Sequence, residues 1–224
     1  MYASWQALVE TRRHHELSFS EGLELLLQSE IENRANNRFE RLRKNARFRY
    51  QASIEELNFD ASRGLDKAQI SELAIGGYIR KGESVLITGA TGCGKSFLAS
   101  ALGHQACAGG FKVAYFNVQK LLIKTKMARI DGTIHKLFDQ ISKNHLLILD
   151  DFGLTHLEKQ QQMDLMEIIE DRHARNATII ASQLPVANWY SIIGEETIAD
   201  AILDRLVHTS HRLELKGESL RKKM

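Results

Sequence analysis

Proline is almost missing from this chain: Pro185 is the single one in 224 residues, so no proline-rich tether separates domains and any second domain is expected to join by a compact connection. Cysteine is nearly as scarce. Cys93 and Cys107 form no C-x-x-C pair, which excludes a disulfide-stapled scaffold and makes a reducing cytoplasm the expected location. No run approaches the roughly 18 apolar residues of a membrane-spanning helix, and Met1-Tyr2-Ala3-Ser4-Trp5 lacks the pattern of a secretory signal, so a soluble chain without a membrane partner is expected. Nine histidines are present, but none sits in a metal-binding pattern; His208-x-x-His211 crosses an expected helix-to-strand transition with no cysteine nearby. A G-x-S-x-G nucleophile turn is also missing. Charge of one sign is lacking overall, at a net +2, although its distribution is uneven. With 43% apolar residues the chain can bury a sizeable core.

What is present begins with Gly89-Ala90-Thr91-Gly92-Cys93-Gly94-Lys95-Ser96, a G-x-x-x-x-G-K-[ST] run directly after the apolar Val85-Leu86-Ile87. The glycines let the backbone curl so that successive N–H groups face an anion, Lys95 reaches β- and γ-phosphates, and the Ser96 hydroxyl serves Mg²⁺. A helix expected from Phe97 to Ala108 turns its positive end toward the same anion. Gly89 to Phe97 are therefore the expected nucleotide-binding residues, with ATP and Mg²⁺ as cofactors.

From about Leu65 onward, strands alternate with helices, which predicts an α/β three-layer core on a five-stranded parallel sheet, with ligand beyond the strands' carboxyl ends. Strands are expected at Ser84–Thr88, Lys112–Phe116, Leu146–Asp150, Thr178–Ala181 and Arg212–Leu215. Helices are expected at about Phe97–Ala108, Val118–Ala128, Ile134–Lys143, Gln160–Arg175 and Ile198–Arg205. Two domains are expected: a helical amino-terminal one over 1–63 and the nucleotide-binding one over 64–224.

Leu146-Leu147-Ile148-Leu149 ends in Asp150 and Asp151. In the Walker B pattern Asp150 holds Mg²⁺ through its water shell and Asp151 orients or deprotonates the attacking water. Thr178 to Ala181 similarly ends in Ser182-Gln183; Gln183, or else Ser182, is expected at the γ-phosphate or its water, a polar turn being the competing explanation. Arg205 is the candidate for neutralising charge on the transferred phosphoryl group, against a surface salt bridge as the plain alternative.

The segment from Glu32 to Tyr50 carries Arg34, Arg38, Arg41, Arg43, Lys44, Arg47 and Arg49 against Glu32 and Glu40, interleaved with Phe39, Phe48 and Tyr50. Two readings stay open: a helix laid against a phosphate backbone, or a solvated face whose aromatics pack on the nucleotide-binding body.

The phosphate loop, Leu146–Gly153, Ser182–Val186, Asp200–Leu206, Gly217–Arg221 and Gly64–Lys67, in this order and nearly end to end, resemble the IstB family, the ATP-binding helpers encoded beside the transposase of a class of bacterial insertion sequences. The resemblance implies an AAA+ ATPase of the initiator and helicase-loader branch, related to DnaC and DnaA, that self-assembles into a higher oligomer on duplex DNA and directs a transposase. It makes Gln183 a sensor-one residue, Arg205 an arginine finger for a neighbouring subunit and Arg221 a sensor-two arginine. Nineteen residues follow Arg205, too few for the helical lid of many AAA+ proteins. The resemblance also supplies an extra DNA-tracking helix at Gln119–Arg129, where Lys120, Lys124 and Lys126 reach phosphates while Leu121, Leu122 and Met127 pack inward. With it, DNA contact becomes the favoured reading for Arg34, Arg38, Arg41, Arg43, Lys44 and Arg47. Ala90, Cys93 and Ser96 depart from the usual loop without removing a required donor, whereas Asp151 stands where a glutamate is general, so slow turnover is expected. A helicase loader preferring single strands and a small-molecule kinase are the alternative functions.

Overall fold

The computed structural model describes residues 1–220, the side chain of Ala3 excepted. The chain forms two compact units, Met1–Arg41 and Leu42–Met224. That division lies earlier than the 63/64 boundary expected from motifs, because residues 42–63 pack with the sheet-bearing unit.

The first unit consists of helix α1 (Tyr2–Glu10), a short 3₁₀ turn (Arg13–His15) and most of the long helix α2 (Phe19–Ala46). Ser18 and Glu21 start α2 reciprocally: the Glu21 carboxylate accepts from the Ser18 N–H at 2.8 Å, and the Ser18 hydroxyl accepts from the Glu21 N–H at 3.3 Å. The terminal amine of Met1 pairs with Glu30 at 3.1 Å, and Ser4 hydrogen-bonds Ser29. No described residue of this unit is buried, and Phe19 is 85% exposed.

The second unit contains α3 (Lys67–Ala74), α4 (Gly77–Lys81), β1 (Ser84–Gly89), α5 (Lys95–Ala108), β2 (Val113–Asn117), α6 (Val118–Ile130), α7 (Ile134–Ser142), β3 (Leu146–Phe152), α8 (Lys159–Arg172), β4 (Ala177–Ser182), α9 (Trp189–Ile193), α10 (Glu196–Val207) and β5 (Ser210–Leu215). All strands pair in parallel, in the order β2-β3-β4-β1-β5. The five expected strands and five expected helices are all present within a few residues; α3, α4 and α9 are additions.

Sheet burial follows from composition. Leu146, Leu147, Ile148 and Leu149 have no exposed surface, as a strand covered on both faces requires. Their helical partners Leu165, Ile168 and Ile169 sit at i, i+3 and i+4 on α8 and are equally buried. Arg172 ends that helix inside the protein, donating to the carbonyls of Ile141 (3.0 Å), Asn144 (2.9 Å) and Ala177 (2.5 Å). Burial pushes its pKa down to about 9, so it stays charged at neutral pH and ties α7, α8 and the starts of β3 and β4 together. The parallel pairing of β1 and β3 with β4 sets their carboxyl ends on one edge of the sheet.

Candidate nucleotide-binding site

The loop between β1 and α5 curls as its glycines allow. Gly89 has φ +146°, and a Cβ there would stand 2.3 Å from the Leu215 carbonyl oxygen, so no larger residue fits beside β5. Gly92, at φ +81°, faces Ser219 so closely that an added Cβ would lie 2.1 Å from its hydroxyl. Lys95 is buried, and its Nζ donates to the carbonyls of Gly89 and Ala90 at 2.8 Å each.

The acids come from β3. Asp150, 1% exposed, accepts from the Ser96 hydroxyl through Oδ1 at 2.9 Å, while its Oδ2 accepts from the Tyr115 hydroxyl. Burial, then the bond to Asp150, drives the Tyr115 pKa upward, so the phenol remains a donor. Ser96 and Asp150 offer the hard oxygen donors that suit Mg²⁺, and among the described residues no group of three or more His, Cys, Asp or Glu could hold a metal. A magnesium ion here would draw its other ligands from phosphate and water.

Asp151 lies in an irregular stretch of the β3–β4 pairing and has φ +59°, a left-handed conformation that costs roughly 1–2 kcal/mol for a residue with a side chain. The twist turns its carboxylate toward β2 and the segment after α2. Its Oδ2 accepts from Asn117 Nδ2 at 2.9 Å and Arg49 Nη1 at 3.0 Å. Asn117 has a second task, capping α6 by accepting from the Lys120 N–H at 3.3 Å.

A cavity of about 600 Å³ is lined by Thr91 to Leu98, Asp151 and Gln183, together with Tyr50, Leu57, Asn58 and Leu65. Gln183 accepts from the Thr91 hydroxyl at 2.7 Å. Ser182, its alternative, is buried and occupied with main chain, donating to the Phe152 carbonyl at 2.8 Å and accepting from the Leu184 N–H at 3.1 Å. Arg63, also on the cavity lining, ties the loop to the chain after β5, donating to the carbonyls of Cys93 (2.7 Å) and Glu218 (3.0 Å), and Leu220 N–H donates to the Gly92 carbonyl at 2.9 Å.

Sequence reasoning missed Arg63, Asn117, Tyr115 and the Leu57-Asn58 wall. Asn117 carried a usable signal, a cap residue at the end of a strand directly before a helix; Arg63 carried none.

Other expected residues lie elsewhere. Arg205 does not line the cavity; its guanidinium pairs with Glu170 and donates to the Ala201 carbonyl at 2.8 Å. Arg221 falls outside the described residues. Arg34, Arg38, Arg41, Lys44 and Arg47 are exposed and Arg43 half-buried, donating to Gln51 at 3.0 Å. On α6, Lys120, Lys124 and Lys126 are exposed and Leu121 and Leu122 buried, but Met127 is 53% exposed, contrary to expectation. The helix buries Val118, Leu121, Leu122, Thr125 and Ala128, and position 127 falls off that face, in line with exposed Ile123 and Ile130. Phe48 and Tyr50 follow the second reading of the basic segment: the Phe48 ring stands 4.3 Å from His104 and the Tyr50 ring 6.4 Å from Phe97, both on α5.

The parallel sheet, the glycine-curled loop after β1 and the acid-tipped β3, one strand removed from it, define an α/β P-loop nucleotide-binding protein. The chain belongs to the family described as IstB-like ATP binding protein, whose match spans residues 1–224. Similar proteins include the insertion-sequence ATP-binding protein y4pL of Sinorhizobium fredii, 43% identical over 222 residues covering 99% of this chain and 91% of the relative. Another is the ATP-binding protein of insertion sequence IS1162 from Pseudomonas fluorescens, 44% identical over 172 residues, 76% of this chain and 74% of the relative. Among solved structures, the DnaC helicase loader superposes with TM-score 0.59 at 21% identity, covering 71% of this chain and 96% of that one. Replication initiator DnaA bound to AMPPCP and single-stranded DNA superposes with TM-score 0.64 at 17% identity, covering 77% and 52%. These two likenesses establish the fold, the expected α/β core on a five-stranded parallel sheet.

Proposed function

We propose that this chain is the ATP-hydrolysing helper of an insertion sequence, assembling on duplex DNA and regulating or recruiting the transposase, with hydrolysis as the switch. The observation that carries this is that Lys95, Ser96 and Asp151 line one cavity while Asp150 bonds to Ser96, in a chain whose family is that of insertion-sequence ATP-binding proteins.

In this reading the loop amides and Lys95 bind the triphosphate, and Ser96 with Asp150 holds the magnesium. When bound, that ion neutralises charge on the β- and γ-phosphate oxygens. Asp151 accepts a proton from water as the water oxygen bonds to the γ-phosphorus and the bond to ADP breaks. Gln183 orients the water or γ-phosphate. Arg205, directed away from its own cavity, serves that of a neighbouring copy, so turnover depends on assembly. Arg34, Arg38, Arg41, Arg43, Lys44 and Arg47, with Lys120, Lys124 and Lys126, contact phosphates without reading bases. Calorimetry and steady-state hydrolysis test the site together. Lys95→Ala is expected to lose ATP binding, Arg205→Ala to keep binding and lose turnover; normal hydrolysis by both variants sinks the assignment. Stimulation by duplex rather than single-stranded DNA separates this helper from a helicase loader.

A further inference from the structure

We propose that Arg49 is a positioning residue, a latch that holds Asp151 away from water activation until nucleic-acid phosphate draws the arginine off. This rests on the hydrolytic, DNA-binding reading above. A carboxylate held in place by an ion pair is not free to turn onto an attacking water. Here Asp151 Oδ2 accepts from Arg49 Nη1 at 3.0 Å and from Asn117 Nδ2 at 2.9 Å, and the same Nη1 lies 3.5 Å from Asp150 Oδ2. One guanidinium thus occupies an oxygen of the water-activating acid and crowds the magnesium acid beside it.

The arrangement is anchored rather than accidental. Phe48 packs on His104 and, edge-on at 6.2 Å, on Tyr115, which bonds Asp150. Gly103 leaves room for that ring, since a Cβ there would stand 2.4 Å from it. His104 Nε2 is 3.1 Å from the Tyr50 carbonyl oxygen, and the Arg49 guanidinium lies 5.4 Å from the Tyr50 ring. Arg49 is therefore held from both sides while its own side chain is 41% exposed. Half-exposed ion pairs are weak, so a phosphate of a polyanion can compete for this arginine. It follows Arg43, Lys44 and Arg47 within six residues, so a backbone bound to them would bring phosphates along the chain toward it.

The test uses the full chain with and without duplex DNA. Arg49→Gln is expected to raise DNA-independent kcat several-fold with KM for ATP unchanged, and to shrink the stimulation by DNA toward none; Arg49→Lys should fall between. A basal rate equal to or below that of the wild type, with stimulation intact, overturns the latch. Trypsin supplies a readout without turnover. Asp151→Asn should speed cleavage of the Arg49–Tyr50 bond in the absence of DNA and nucleotide while melting stays unchanged, and an unaltered cleavage rate overturns the ion-pair basis. A wild-type chain that hydrolyses nothing under any condition overturns the parent reading and the coupling with it, whereas hydrolysis indifferent to Arg49→Gln overturns the latch alone.

Discussion

The two compact units of this chain use apolar residues in opposite ways. In Leu42–Met224 most large apolar side chains are buried in the layers around the sheet, and the strand β3 exposes none of Leu146 to Leu149. In Met1–Arg41, Tyr2 (75%), Phe19 (85%) and Ile31 (62%) remain exposed, and the unit has no described buried residue. Burying such a side chain is worth roughly 1.5–3 kcal/mol, so the first unit forgoes the term that stabilises the second. Helix-local devices remain to it, such as the Ser18–Glu21 start and the Glu30–Arg34 pair at 2.8 Å. A region of that kind is suited to contacting other molecules, and the sheet-bearing unit to holding a fixed geometry.

The sharpest way to break this contrast is a pair of truncations read by calorimetric unfolding. Ile148→Ala, at the centre of β3, should cost about 2–5 kcal/mol, whereas Phe19→Ala should stay within about 0.5 kcal/mol. Equal losses would mean that the first unit has a core of its own.

A smaller effect concerns charge. Replacing Arg34, Arg38 and Arg41 together by glutamine should weaken duplex binding and flatten its salt dependence by about 0.9 log units per log unit of salt for each phosphate that is no longer neutralised. An unchanged slope in fluorescence anisotropy would remove these residues from the DNA interface. The same measurement on Lys120, Lys124 and Lys126 compares the two units directly.

The smallest expected effect is a change in a chemical rate. Burial pushes the Cys107 thiol up to about 12, so it should stay inert to iodoacetamide at pH 8. Modification should then report Cys93, which is buried in the phosphate loop. ATP with magnesium should slow that modification, as followed by mass spectrometry; an unchanged rate would place the nucleotide elsewhere.

Much of the sheet-bearing unit was legible because its signals are short-range. An apolar run flanked by glycines reads as a buried strand, and G-x-x-x-x-G-K-S dictates its own curl between β1 and α5, where Ser96 meets Asp150. Long-range partners were not legible. Nothing in spacing ties Arg63 to Cys93 thirty residues on, or Arg49 to Asp151 one hundred and two residues on. Helix α6 gave an intermediate result: its basic residues were readable, but Met127 was assigned to the wrong face because polar Thr125, not Met127, completes the buried stripe.

Local chemistry written along the chain determined the element order, the phosphate loop, the acid-tipped strand and the family. Tertiary structure alone decided which of two open readings Phe48 and Tyr50 follow, that Ser182 serves the main chain while Gln183 reaches the cavity, and that a left-handed Asp151 meets Arg49 and Asn117. The reason is physical: backbone preference and hydrophobic period act over a few residues, whereas the direction of a charged or aromatic side chain is set by whatever the completed sheet brings against it.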